Sequence, residues 1–153
     1  RRAFNQYLTN WQYVRSRAAL ICVDIDHFKN INDTYGHDVG DTVLQQLAKI
    51  MQTLSRKEDQ VCRLGGEEFA VLMPDLTPDM AWQMAERLRD GVEKAAFNTV
   101  GHITISVEVA HWPAHVRLID DLPKTADSML YRAKNNGRNT VEMAPPLAGV
   151  QSH

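Results

Sequence analysis

No stretch of this 153-residue chain is apolar for long enough to span a bilayer, and no signal peptide is visible in it, which excludes a membrane-spanning helix within these residues. Cysteine is scarce. Cys22 and Cys62 both fall in apolar runs and read as small buried hydrophobes of a reducing compartment, not as a disulfide. Excess positive charge is missing too: 17 basic and 19 acidic residues leave a formal net charge of −2. Aromatic residues make up 7%, so the chain has neither a global field for an anionic polymer or membrane nor a basic track interleaved with aromatic side chains. Internal repeats are absent as well.

What is present suits one compact domain, since 153 residues that are 44% hydrophobic can bury one good core but hardly two. Phe4, Tyr7, Leu8, Trp11 and Val14 recur at helical spacing and predict an N-terminal helix. Ala18 to Val23 is short, apolar and rich in β-branched residues, the pattern of a buried strand. A short helix is expected from about Phe28 to Tyr35, stopping near Gly36. Val43, Leu44, Leu47, Ile50, Met51 and Leu54 form the stripe of a longer helix ending near Ser55. Two strands follow, on either side of Gly65-Gly66. Thr77-Pro78 then opens a helix, with Thr as cap, Pro in the first turn and Ala81, Met84, Ala85, Leu88 and Val92 on the buried face. His102 to Trp112 is expected as a strand, Asp121 to Asn136 as a helix closed by Gly137, and Thr140 to Met143 as a last strand. The domain is drawn at 1–143, and 144–153, opening Ala144-Pro145-Pro146, as a mobile tail. This order fits an α+β fold with helices flanking a mainly antiparallel central sheet.

Two acidic clusters carry the chemistry. Gly65-Gly66-Glu67-Glu68-Phe69 joins two apolar runs, so it reads as a hairpin whose tip holds paired carboxylates. Its glycines permit positive φ and leave room for a bulky ligand; alone, such a tip could equally be a solvated turn. The second cluster, Asp24-Ile25-Asp26, ends the buried strand, and alternation puts both aspartates on one face. Carboxylates there are costly unless they meet a cation, backbone donors or water. Magnesium takes such oxygen ligands, completing its shell with water and phosphates. Either aspartate could instead cap the following helix, Asp26 being the better placed.

Three segments in this order, DIDHFKNINDTYGHDVGD, RLGGEEF and ADSMLYRAKNNGRN, strongly resemble the GGDEF-domain diguanylate cyclases, which condense two GTP into cyclic di-GMP. The opening Arg1-Arg2-Ala3-Phe4 is similar to the end of that family's N-terminal motif, so the resemblance runs from about Arg1 to Val141. It implies a fold like the palm of nucleotidyl cyclases and polymerases, in which the end of the first strand and the hairpin tip lie side by side. It implies two magnesium or manganese ions per active site, held by Asp24, the carbonyl of Ile25 and Glu67 or Glu68. Asp24, Glu67 and Glu68 are then the catalytic carboxylates. Glu67 is the less replaceable of the pair and a proton acceptor; the commonest family motif has Asp at its position. GTP is implied to lie against Phe28 and Lys29, with Asn32 and Asp41 reading guanine, His37 lining the same pocket, and Lys134 and Arg138 on the triphosphate. Taken singly, Lys134 and Arg138 could also serve only the dipole of the last helix. Arg56 and Asp59 match an Arg-x-x-Asp inhibitory site for cyclic di-GMP, although the run Arg56-Lys57-Glu58-Asp59 alone would be a solvated surface.

The resemblance further implies a homodimer presenting two GTP molecules to each other and a cytoplasmic domain, the parent protein being soluble or membrane-anchored. With no starting Met and a beginning inside a motif, the chain is expected to be a module whose upstream sensory or regulatory domain is missing. Rival readings are a catalytically silent receptor for GTP or cyclic di-GMP, a polymerase-like transferase, and a cyclase making cyclic GMP. Intact Asp24, Glu67 and Glu68 weigh against the first, and the charge balance against nucleic acid. Two features depart from plain patterns. Glu108 stands where the family often has Gly, and could be exposed or face a neighbouring chain. His111 and His115 are four apart, but Pro113 between them opposes a single helix offering both to zinc.

Overall fold

Every residue of β1 (Ala18–Ile25) is buried, which is why its sequence shows no polar alternation. The computed structural model describes residues 10–11 and 15–147, with the side chains of 126–132 excepted. β1 pairs antiparallel on one side with β3 (Glu68–Pro74) and on the other with β4 (Ile105–Trp112). β2 (Gln60–Gly65) extends the sheet beyond β3, and β5 (Val141–Met143) lies parallel to β4, giving the order β2-β3-β1-β4-β5.

Alternate residues of β1 serve two cores. Ala19, Ile21, Val23 and Ile25 pack with α2 (His37–Leu54) and α3 (Pro78–Lys94) through Val43, Leu47, Met51, Ala85, Leu88 and Val92. Ala18, Leu20 and Cys22 join Trp11, Leu72, Ala110, Ile119 and Leu122, the first residue of α4 (Leu122–Asn135). Asp24 continues that second face, beneath the helix bearing Lys134. α1 (Phe28–Tyr35) covers the end of β1 and stops where Gly36 takes φ +91°.

Thr77 caps α3 as its sequence implies, its hydroxyl accepting from the Met80 N–H at 3.2 Å. Other boundaries moved. α2 begins at His37, six residues before its apolar stripe, because its first turns are polar and carry no periodic signal. β4 starts at Ile105 instead of His102, since Phe97 and Gly101 close a small turn just before it. Asp26 does not cap α1: the capping position is His27, at φ 60° and without a side-chain cap. The expected mobile tail is held at its start, Ala144 donating to Val109 O at 2.9 Å and Leu147 to Ala114 O at 3.0 Å. Of the N-terminal helix, Phe4, Tyr7, Leu8 and Val14 lie outside the described residues, as does Arg1 to Phe4; Trp11 is buried with the Arg15 guanidinium over its ring.

Cys22 and Cys62 form no disulfide, each lying opposite Ala70 on a different side of β3. Two strand spacings, about 10 Å, separate them, too far for a disulfide. Glu108 is fully buried on the α4 face, between Cys22 of β1 and Glu142 of β5 in register, which rules out the exposed one of its two alternatives. His111 and His115 serve the backbone. His115 Nδ1 accepts from the His111 N–H at 3.0 Å, while His111 Nδ1 accepts from the Ala114 N–H at 3.3 Å and its Nε2 meets Leu76 O at 2.7 Å.

Candidate active site

Antiparallel register sets Asp24 of β1 directly opposite Glu68 of β3, bringing the two acidic clusters together. The β2–β3 hairpin carries an irregularity between Arg63 and Gly65, then turns through Gly65 at φ +147° and Gly66 at φ +53°. Those angles are why the turn needs glycine. Arg63 straps the tip, donating from Nε and Nη2 to Gly66 O at 3.1 and 2.8 Å. Glu67 is thereby held over a cleft of about 230 Å3 that Asp24, Ile25, Phe28, Lys29, Lys134 and Arg138 also line. Glu68, in register with Asp24, is not among the residues that line it.

Asp24 is the electrostatic centre of this cleft. Its Oδ2 accepts from Lys134 Nζ at 3.1 Å, while its buried Oδ1 has no hydrogen-bond partner among the described residues. Burial pushes the carboxyl up to about 6; Lys134 opposes the shift, and the charges of Glu67 and Glu68 add to it. A half-compensated buried carboxylate facing a second carboxylate is a hard oxygen donor set. Among the described residues no three His, Cys, Asp or Glu side chains gather as a metal cluster. A cation here would thus draw on Asp24, Glu67 and a carbonyl such as that of Ile25, with water and phosphate completing the shell, as magnesium prefers. The residues fit that ion.

The remaining expected residues divide. Phe28 is buried under the cleft and Lys29 is exposed at its rim, in the first turn of α1. Asn32 turns a buried Oδ1 without a partner toward Gly40 of α2. A Cβ at Gly40 would meet that oxygen at 1.9 Å and Phe28 Cζ at 3.3 Å, so a larger residue here requires the Asn32 side chain to turn away. Asp41, the next residue, is exposed and lines a second cleft of about 460 Å3 with Leu44, Val61, Arg63 and Phe69. His37 is exposed at the start of α2. A larger cavity of about 660 Å3, between α1 and the Val100–Thr104 segment, shares only Asp26, His27 and Asn30 with the cleft and lacks its cations. The chemistry points to the smaller space.

Arg56 and Asp59 are not brought to this cleft. Asp59, its side chain fully buried, accepts from the Arg56 backbone N–H and from Arg56 Nη2, both at 2.8 Å, and Nη2 also donates to Pro74 O. Arg56 borders a groove with Leu76, Met80, Met84 and Arg87. Arg87 drew no notice in the sequence, where nothing marks one helical arginine among several. Gly40 and Asn139 were missed likewise, because close backbone approach and left-handed geometry at a non-glycine leave no composition signal.

The family model for the GGDEF diguanylate cyclase domain matches residues 1–140. The chain belongs to the GGDEF family. The domain superposes on the active GGEEF domain of a diguanylate cyclase from Vibrio cholerae with a TM-score of 0.80 and 33% identity, covering 94% of this chain and 90% of that one. It matches the GGDEF domain of DgcB from Caulobacter crescentus, solved in complex with cyclic di-GMP, with a TM-score of 0.85 and 29% identity over 94% and 89% of the two chains. Among curated relatives, diguanylate cyclase DgcM of Escherichia coli K12 is 46% identical over 123 residues, 80% of this chain and 30% of that protein. Diguanylate cyclase A of Treponema denticola is 40% identical over 129 residues, 82% and 35% of the two. This GGDEF domain thus spans about a third of the length of those relatives, and its α+β sheet is that of the solved GGDEF structures. No helix among the described residues is long and apolar enough to cross a membrane.

Proposed function

We propose that this domain is a diguanylate cyclase, condensing two GTP into cyclic di-GMP with release of two pyrophosphates. The observation that carries the reading is the orphaned, buried Oδ1 of Asp24 in a cleft that also holds Glu67, Lys134 and Arg138. Asp24, Glu67 and the Ile25 carbonyl are the donors for two divalent ions, magnesium or manganese, with Glu68 lending charge from the strand. When bound, those ions neutralise the triphosphate and acidify the attacking 3′-hydroxyl. Lys29, Lys134 and Arg138 hold the phosphates, and Phe28 forms the floor beneath the nucleotide. Asn32 and Asp41 match the guanine edge, with His37 beside them. A Glu67 carboxylate oxygen takes the 3′-hydroxyl proton as the ribose 3′-oxygen bonds to the α-phosphorus of the opposite GTP and the bond from that phosphorus to pyrophosphate breaks.

The second half of the reaction repeats this across a homodimer, since one cleft presents one GTP. Arg56 and Asp59, with Arg87 on the same groove, form the site at which cyclic di-GMP inhibits. This domain is placed in the cytoplasm, whether its parent protein is soluble or membrane-anchored. Nucleic acid is not a substrate.

The test is incubation at several protein concentrations with GTP and magnesium, identifying products by mass while following pyrophosphate. Cyclic di-GMP formed at a rate rising faster than linearly with protein supports the reading, and Glu67→Gln should lower it about a hundredfold or more. GTP binding without product, even with dimerisation enforced by a fused coiled coil, would mark a nucleotide receptor instead. Cyclic GMP would mark a mononucleotide cyclase.

A further inference from the structure

Asp26 lies two residues from Asp24, yet its carboxylate is spoken for. Oδ1 accepts from the Ser106 hydroxyl at 2.6 Å; Oδ2 accepts from the Thr104 hydroxyl at 2.7 Å and from the backbone N–H of Asn139 at 2.9 Å. The side chain is buried, so three donors are what its charge needs in place of water. Three of its roughly four lone-pair sites are thereby taken. The two aspartates that alternation places on one face have therefore separated in role.

The Asn139 contact matters because of where it falls. Gly137, Arg138 and Asn139 take φ +102°, +63° and +43°, three successive left-handed residues of which two are not glycine. Left-handed conformation at such residues persists only where the surroundings over-determine it, and it gathers at functional sites. Here the restraint comes from both sides. The Arg138 N–H donates to Ala133 O at 3.1 Å, closing the turn onto α4. The Asn139 side chain reaches α3, its Oδ1 accepting from Arg89 Nη1 at 3.0 Å and its Nδ2 donating to Glu93. Arg89 is itself fixed by Glu86. Between these two clamps sits Arg138, which lines the same cleft as Glu67.

We infer that Asp26 and Asn139 are positioning residues: they hold the left-handed 137–139 turn so that the Arg138 guanidinium is presented, prepaid, to the triphosphate of GTP. This rests on the cyclase reading for the identity of the ligand, though not for the clamp itself. An arginine on a free loop would lose binding free energy to ordering each time a nucleotide arrived. With its turn held by a buried carboxylate through the Asn139 N–H, it contributes to binding in ground and transition states alike, so the signature is in KM more than kcat.

The experiment compares wild type, Asp26→Asn, Asn139→Ala and Arg138→Ala, alone and combined with Arg138→Ala. It measures GTP turnover, and calorimetric binding of an α,β-methylene GTP analogue and of GMP in magnesium. Asp26→Asn and Asn139→Ala are each expected to raise KM and weaken the analogue about tenfold, while kcat falls less than threefold and GMP binding is unchanged. In the Arg138→Ala background either substitution should alter analogue binding less than twofold, because the group they position is gone. Equal weakening of GMP and analogue, full additivity with Arg138→Ala, or a fall in kcat at constant KM would overturn the proposal in favour of a purely structural role. Should Asp26→Asn fail to fold, Asn139→Ala decides alone, since it leaves Asp26 with all three donors. If the wild type binds the analogue but forms no cyclic di-GMP, the cyclase reading fails while the binding comparison still judges the clamp; if it does not bind the analogue, both fail.

Discussion

Lys134 Nζ lies 3.1 Å from Asp24 Oδ2, joining the last turn of α4 to the end of β1 across 110 residues of sequence. The ammonium is partly exposed, at 37%, while the carboxylate is buried at 3%, so only one of the two ions is fully desolvated. The pair is lopsided. Lys134 satisfies one oxygen and leaves the other, and the carboxyl remains pushed up to about 6.

That imbalance has a stability consequence. A carboxyl whose folded pKa lies above its unfolded value is a net cost wherever it is ionised, and the cost vanishes as pH falls from about 6 toward the unfolded value. Asp24→Asn should therefore raise the unfolding free energy at pH 7, by up to about 3 kcal/mol, while abolishing turnover. Lys134→Ala should lower it, since the carboxylate loses its counter-ion. Denaturant titrations at pH 7 and pH 5 check both, and the gain from Asp24→Asn must shrink at the lower pH.

Gly40→Ala places a methyl 1.9 Å from Asn32 Oδ1 and 3.3 Å from Phe28 Cζ. Asn32 must swing away, or α1 must part from α2, at a cost of about 1–3 kcal/mol. GTP affinity should fall about tenfold, and affinity for inorganic triphosphate should change little. Calorimetry with the two ligands separates these.

Arg56→Ala leaves the fully buried Asp59 carboxylate with neither Nη2 nor Nε as partner. Loss of one member of a buried charged pair costs more than loss of both, so Arg56→Ala should destabilise by about 2–4 kcal/mol, and Arg56→Ala with Asp59→Ala by less. On the proposal that cyclic di-GMP inhibits at this groove, both variants should abolish any early plateau in turnover. Thermal melts and progress curves provide the two readouts.

The histidine turn predicts acid sensitivity. Burial holds His115 down to about 4 and lowers His111 as well, and each Nδ1 is already accepting a backbone N–H. The unfolded chain binds protons first, so the contribution is intact above about pH 6.5 and is lost as pH falls through the window down to about 4. For His115 the loss is at most about 3 kcal/mol. Replacing His115 with Gln, a neutral acceptor, should flatten that part of the stability profile between pH 6.5 and 4.5.

Sequence alone determined whatever rests on local pattern. Thr77-Pro78 set the start of α3, Gly36 the end of α1, and Gly65-Gly66 the hairpin, because caps and positive φ are demands of single residues. The unbroken apolar run Ala18 to Val23 marked the central strand, and three motifs in order marked the family. Tertiary structure decided which groups meet. Asp24 and Asp26 look equivalent in the chain, yet one meets Lys134 and an open cleft, the other Thr104, Ser106 and Asn139. Glu108 could not be placed until the order β1-β4-β5 buried it, and Gly40 was silent until α1 closed against it. Hydrogen bonds and contacts between residues 80 to 110 positions apart depend on how strands register and helices dock. No local periodicity encodes those distances, and the charge of a buried carboxylate is set by them.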